Sequence, residues 1–271
     1  MPNSICATCG TQFAATGSPP DRCPICEDQR QYVPAGGQDW TTLEALQKGH
    51  HAVIKAQEPG LTGIGVHPDF AIGQRALLVQ TPEGNLLWDC ISLIDDPTIA
   101  AVRALGGIRA IAISHPHYYA VMVEWSRAFD APIYLHEAER QWVMRPDPAI
   151  QFWSGETRQL FGGLTLIRCG GHFAGGQVLH WPDGAEDKGV LLTGDIIQVI
   201  PDTRHVGFMY SYPNLIPLPG KVVEHIAAAV EPYAFDRIYG AWWPRVIPSD
   251  AHGAVRRSAR RYVQALEGTL G

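Results

Sequence analysis

Nothing in this 271-residue chain is apolar for long enough to cross a membrane, because charges such as Arg103, Arg109 and Asp195 interrupt every candidate run. The opening residues MPNSICATCG lack the basic start and apolar stretch of a secretory signal, so a cytoplasmic location is expected. Excess positive charge is missing too. The formal net charge is -6, which disfavours nucleic acid as a partner. No internal repeat is visible, and nothing signals an oligomeric state. Cysteine is scarce, and four of the six stand in two C-x-x-C pairs instead of the scattered positions of a disulfide framework. What is present is ordinary globular material, 46% hydrophobic and 18% charged, enough for one sizeable core plus a small appendage.

Residues 1–35 form a compositional island, rich in Cys, Pro, Gly, Thr and Asp and poor in large apolar side chains. So short a piece needs a staple, and metal is the obvious one. Pro34-Ala35-Gly36-Gly37 reads as the way out of it, and residues 41–271 as a second domain of mixed α/β pattern. Strands are expected near 51–57, 74–80, 86–89, 108–114, 133–135, 164–168, 178–181, 190–193 and 237–239. Asp96 is the expected cap of a helix with Pro97 at its first position and Gly106 at its close. Val222, Val223, Ile226 and Val230 keep helical spacing until Pro232. Ser249 is the expected cap of a last helix with Ala251, Val255, Tyr262 and Leu266 on its apolar face. Strand-rich at first and alternating later, the pattern indicates packed sheets covered by helices.

Cys6-Ala7-Thr8-Cys9-Gly10 is followed, after thirteen residues, by Cys23-Pro24-Ile25-Cys26. Each pair suits a knuckle that points two thiolates at one ion, and four thiolates make a closed tetrahedral site. Gly10 stands where a knuckle must turn with positive φ, and Pro24 stiffens the second turn. Residues 5–33 resemble a rubredoxin-like or zinc-ribbon module. Zn²⁺ and Fe both accept four thiolates, so the spacing leaves the metal open.

A second constellation begins where the apolar run Ile111-Ala112-Ile113-Ser114 ends in His115-Pro116-His117-Tyr118-Tyr119-Ala120. Cys169-Gly170-Gly171-His172 follows another expected strand, and Leu191-Leu192-Thr193-Gly194-Asp195 places a carboxylate just past a third. Ligands on loops beyond strand ends are aimed by a rigid scaffold. Three imidazoles and one carboxylate suit Zn²⁺ or Fe²⁺. His205, in the long loop after Asp195, is the one other histidine of interest.

Over residues 50–245 the chain resembles the metallo-β-lactamase superfamily. The resemblance implies an αββα sandwich, here with the four-cysteine module added at the N-terminus. The family motif is H-x-H-x-D-H, followed by a later His, a bridging Asp and a final His. His115, His117, His172 and Asp195 match the first-metal set, and Asp89 in Leu87-Trp88-Asp89-Cys90 matches the early supporting aspartate. Tyr119 and Ala120 stand where the motif has Asp and His, and Ala241 or Trp242 replaces the final His. One metal ion is therefore expected at this site.

One metal is enough to activate water for attack on a small acyl, ester or thioester substrate, with Asp195 and Tyr119 as the catalytic side chains to consider. Two alternatives stay open. His115, His172 and Asp195 also make the two-His-one-carboxylate set of an oxygen-activating iron, as in persulfide dioxygenase-like members, with the cysteine module as an electron relay. A binding protein that keeps its metal as a docking centre would account for the apolar exchanges Ala120 and Trp242. Arg256, Arg257, Arg260 and Arg261 read as a solvated helix face, and Cys90 and Cys169 as small buried thiols.

Overall fold

The computed structural model describes residues 2–271, in two compact units, Met1–Trp153 and Ser154–Gly271. In the first unit the strands β1 (Ser4–Cys6) and β2 (Trp40–Thr42) pair antiparallel, enclosing the cysteine segment. Between them, residues 24–27 make a single helical turn, α1 (Pro24–Glu27). Cys6, Cys9, Cys23, Cys26, Phe13 and Ile25 form a buried cluster, with Trp40, Ile72, Trp142 and Met144 packed against it. The island thus borrows apolar cover from the rest of its unit.

The main sheet of this unit has seven strands in sequence order: β3 (His51–Glu58), β4 (Leu61–His67), β5 (Ala76–Thr81), β6 (Gly84–Trp88), β7 (Ala110–Ala112), β8 (Ile133–His136) and β9 (Ile150–Trp153). The first four pair antiparallel and the last four parallel. Leu78, Leu87, Ile111, Ile133 and Ile150 form one row across it. Strands β5 to β7 are buried along almost their whole length, as strands covered on both faces must be. The edge strand β3 is half exposed and carries Lys55 and Glu58, which blunt an otherwise free edge. Crossovers to the parallel strands use α3 (Asp96–Ala104) and α4 (Met122–Phe129), and α4 packs on β7.

The second unit holds a six-stranded sheet, β10 (Thr157–Gln159), β11 (Thr165–Arg168), β12 (Gln177–Trp181), β13 (Val190–Gly194), then Arg237–Gly240 and Val246–Ile247. Ile167, Val178, Leu191 and Ile238 share one face. They bury against Val223, Ile226 and Val230 of the helix Gly220–Val230 and Ala251 and Val255 of the helix Ala251–Leu266. Each such buried aliphatic side chain contributes roughly 1.5–3 kcal/mol of transfer free energy to holding the unit together.

The expected mixed α/β class is what the structure has, and each expected strand coincides with an observed one within a few residues. Three details differ. Asp95, not Asp96, caps α3: its side chain accepts from the Thr98 N–H, and Asp96 is the first helical residue. The last helix starts after Asp250, in left-handed conformation, and not from a Ser249 cap. Leu266 does not join its apolar face, being 49% exposed. Strand β4 and helices α2 (Leu43–Gly49) and α4 were not anticipated. Among the described residues no helix is long and apolar enough to cross a membrane.

The cap assignment is testable. Asp95→Ala should cost about 1 kcal/mol in denaturant unfolding. Asp96→Ala should cost clearly less, since it removes only a carboxylate near the helix start.

Candidate metal centres

The four thiols converge where β1 ends and α1 begins. Cys6 is the last residue of β1, and the chain folds back so that the Gly10 N–H donates to the Cys6 carbonyl at 2.8 Å and the Cys9 N–H to Cys6 Sγ at 3.4 Å. Gly10 has φ +80°, and a Cβ there would meet Ser92 Oγ at 2.3 Å, so glycine is required twice over. Cys23 precedes α1, with Pro24 at its first position, and the Glu27 N–H returns to the Cys23 carbonyl. Cys6 and Cys26 sulfurs stand 3.5 Å apart, Cys9 and Cys23 3.8 Å, and all four lie within 4.8 Å of one another. Disulfides need about 2.05 Å. Four sulfurs around an ion at about 2.3 Å stand roughly 3.8 Å apart, which is the spacing found.

Hydrogen bonds from the Cys23, Cys26 and Cys9 thiols hold the Cys6 thiol far below its ordinary range. Its neighbours Cys9 and Cys26 are pushed up in turn, foremost by their bonds with Cys23. Gln38 Nε2 also donates to Cys6 Sγ at 3.0 Å. Four buried cysteine side chains at this spacing make a site that a cation completes.

The second group is built at strand ends. Past β7, the Ser114 N–H donates to Asp89 Oδ1 at 2.7 Å, and the Asp89 N–H to the Ala112 carbonyl at 2.9 Å. Asp89 thus fixes where β7 stops and the loop begins. Ser114 Oγ lies 2.9 Å from His115 Nδ1, which leaves Nε2 of that ring for a ligand. His117 lies in a single 3-10 turn, Pro116–Tyr118, its ring centroid 5.1 Å from that of His115. Both histidines are buried.

After β11 the chain turns through Gly170 and Gly171 to His172, where a Cβ on Gly171 would sit 2.7 Å from Ile226 Cδ1. His172 Nδ1 lies 2.8 Å from the Tyr210 carbonyl oxygen. A carbonyl only accepts, so Nδ1 carries the proton and Nε2 keeps its lone pair for an ion. Asp195 follows β13; Gln198 Nε2 donates to its Oδ1 at 3.4 Å and the Tyr212 hydroxyl to its carbonyl at 2.9 Å. Tyr212 also adjoins His172, ring to ring, at 5.6 Å.

One ligand atom from each of His115, His117, His172 and Asp195 falls within 4.8 Å of the others, all four residues buried. Around one tetrahedral ion, ligand bonds of about 2.0–2.2 Å put the ligand atoms roughly 3.3–3.6 Å apart, inside the span found. The donor set fits a borderline cation such as zinc or ferrous iron.

The other sequence candidates lie elsewhere. Tyr119 is buried and lines a small cavity of about 10 Å³ with Thr11, Gln12, Ala120 and Arg145; the ring against His115 is that of Tyr118, at 4.4 Å. Burial first, and Glu139 second, push the Tyr119 phenol well above its ordinary pKa, so it stays protonated. Ala120 is buried with φ +45°. Ala241 is buried and Trp242 half-buried, just past the strand Arg237–Gly240. His205 pairs with Asp202 at 3.2 Å and is outside both groups. Cys169 packs in the apolar core of its unit, its thiol raised by burial. Reading the sequence missed the Tyr210 carbonyl, Ser114 and Gln38. Ser114 was findable as a hydroxyl beside a candidate ligand, whereas a backbone carbonyl leaves no sequence signal.

Two outcomes follow. Gly10→Ala should lower stability by more than about 1 kcal/mol in denaturant unfolding, since it adds strain and a clash together. Metal at the histidine group should be released on acidification, because protons compete with the ion for its ligands; element analysis after dialysis at stepwise lower pH measures it.

No protein-family model matches the chain. Among solved structures, the DIM-1 metallo-beta-lactamase superposes at TM-score 0.59 with 13% identity, covering 79% of this chain and 98% of that one. A metallo-beta-lactamase from Pontibacter korlensis gives TM-score 0.54 and 16% identity, over 78% of this chain and 99% of that one. At such identity the likeness shows the fold, the metallo-β-lactamase fold. The uncharacterized protein YmaE of Bacillus subtilis (strain 168) is 54% identical over 272 residues, covering 100% of this chain and 99% of that protein. The chain therefore belongs to the family of YmaE, a family built on the metallo-β-lactamase fold with a four-cysteine group near the N-terminus of this member.

Proposed function

We propose that this protein is a hydrolase of small acyl, ester or thioester substrates that carries one ion at His115, His117, His172 and Asp195. The carrying observation is the convergence of those four buried ligands, while Tyr119 and Ala120 stand where the family motif puts an aspartate and a histidine for a second ion. An ion held there supplies Lewis acidity toward a carbonyl oxygen and brings the pKa of water toward neutrality. Asp195 anchors that charge and offers the carboxylate that takes up or orients a proton, and Gln198 holds one of its oxygens. His172 is kept in one tautomer by the Tyr210 carbonyl, so its lone pair is ready without reorganisation.

Burial and Glu139 push the Tyr119 phenol up, so in this reading Tyr119 takes a hydrogen-bonding role. With one ion and no second carboxylate, diester hydrolysis by paired metals is disfavoured. The four-cysteine group takes zinc as a structural centre in this reading, and the cytoplasm is the proposed location.

Element analysis of the purified chain tests the reading, with thioester and lactone panels for turnover. About two zinc ions per chain are expected, falling to one in His117→Ala, with turnover lost by at least roughly a hundredfold. Unchanged metal content in His117→Ala would sink the ligand assignment. Iron with a coloured thiolate centre would instead favour oxygen chemistry, and a ligand-induced thermal shift without turnover would favour a binder.

A further inference from the structure

The four-cysteine module is fastened to the backbone of the histidine loop. The segment leaving the first knuckle, Gly10 to Ala14, makes three backbone attachments to the body of its unit. Ser92 Oγ donates to the Gly10 carbonyl at 2.9 Å. The Gln12 N–H donates to the Ala120 carbonyl at 3.0 Å, and the Ala14 N–H to the Met144 carbonyl at 3.1 Å. On the module side the same segment is held by the Cys6 N–H on the Thr11 carbonyl, at 3.0 Å, and the Phe13 N–H on the Ser4 carbonyl, at 2.8 Å. Gln12 therefore lies three residues from ligand Cys9, and its partner Ala120 three residues from ligand His117.

Side chains double this link. Gln12 Nε2 donates to Glu124 Oε1 at 3.3 Å, while the Arg145 guanidinium donates to Gln12 Oε1 and, at 2.5 Å, to Glu124 Oε1. Arg145 is only 7% exposed, so this ion pair is screened little. Glu124 sits in the first turn of α4, which the histidine loop enters. Ala120 also needs support, because a left-handed alanine persists only where its surroundings hold it.

We infer that the four-cysteine module is the positioning element of the His115–His117 loop, with Gln12 as the positioning residue. The inference rests on the metal reading of both groups. Metal at Cys6, Cys9, Cys23 and Cys26 fixes the knuckle, the knuckle fixes Gly10–Ala14, and that segment fixes Ala120 and the turn carrying His117. The module thereby raises the affinity of the histidine group for its own ion without touching it.

Amide hydrogen exchange and zinc competition with a chromogenic chelator test this on the full chain. Gln12→Ala should speed exchange across residues 116–122 about tenfold, leaving strands β3 and β4 unchanged. It should also weaken the more weakly held zinc about tenfold. Cys23→Ser with Cys26→Ser should do both more strongly, and where that variant fails to fold, Gln12→Ala decides. Asp95→Ala, a comparably mild lesion in the same unit, should leave exchange at 116–122 unmoved, which a merely structural role for Gln12 would not predict. Unchanged exchange at 116–122 in Gln12→Ala overturns the inference. The exchange arm needs no ion at the histidine group, so failure of the inference is told apart from failure of the metal reading.

Discussion

Burial of groups that prefer ions to hydrocarbon is the constraint on which everything else here depends. Four thiols sit in one cluster, and three imidazoles with a carboxylate in another, all withdrawn from water. A carboxylate taken from water costs several kcal/mol unless charge or hydrogen bonds meet it. The surrounding residues read as the means of holding those groups at ligand spacing: Asp89 on the Ser114 amide, the Tyr210 carbonyl on His172, Gln38 on Cys6.

Both groups use the same local device. A strand ends, the chain turns sharply, and the ligand lies within a few residues of the turn. Gly10 and Gly171 permit backbone approaches that any side chain would block, against Ser92 and Ile226 respectively. Sheet interiors supply rigidity, and the strand ends convert it into aim. The apolar rows of the two sheets are therefore part of the ligand geometry, since a shift of β7 or β13 carries His115 or Asp195 with it.

Much of this was legible in the sequence, because metal ligands and strand ends leave local signals. His115, His117, His172 and Asp195 were found from residue type and position after apolar runs, and the cysteines from spacing. What escaped notice lacks a local signal. Strand β4 contains Gly63 and Gly65, which erase the alternation that marks a strand. Three-residue strands such as β1 and β2 are too short for any period. Caps slipped by one residue because Asp95 and Asp96 are equally good by type, and only the Thr98 amide distinguishes them. Docking of the module was invisible because it runs through backbone groups of Gln12 and Ala120, over a hundred residues apart.

Ala120 carries one more consequence, for anyone who would redesign this loop. Thr11, Gln12 and Arg145 crowd the side of the loop on which Tyr119 and Ala120 are buried. An aspartate at position 119 would set a carboxylate near Glu139, and a histidine at position 120 would ask a bulky ring to adopt a left-handed backbone. Changing this loop therefore means changing the N-terminal appendage packed on it as well.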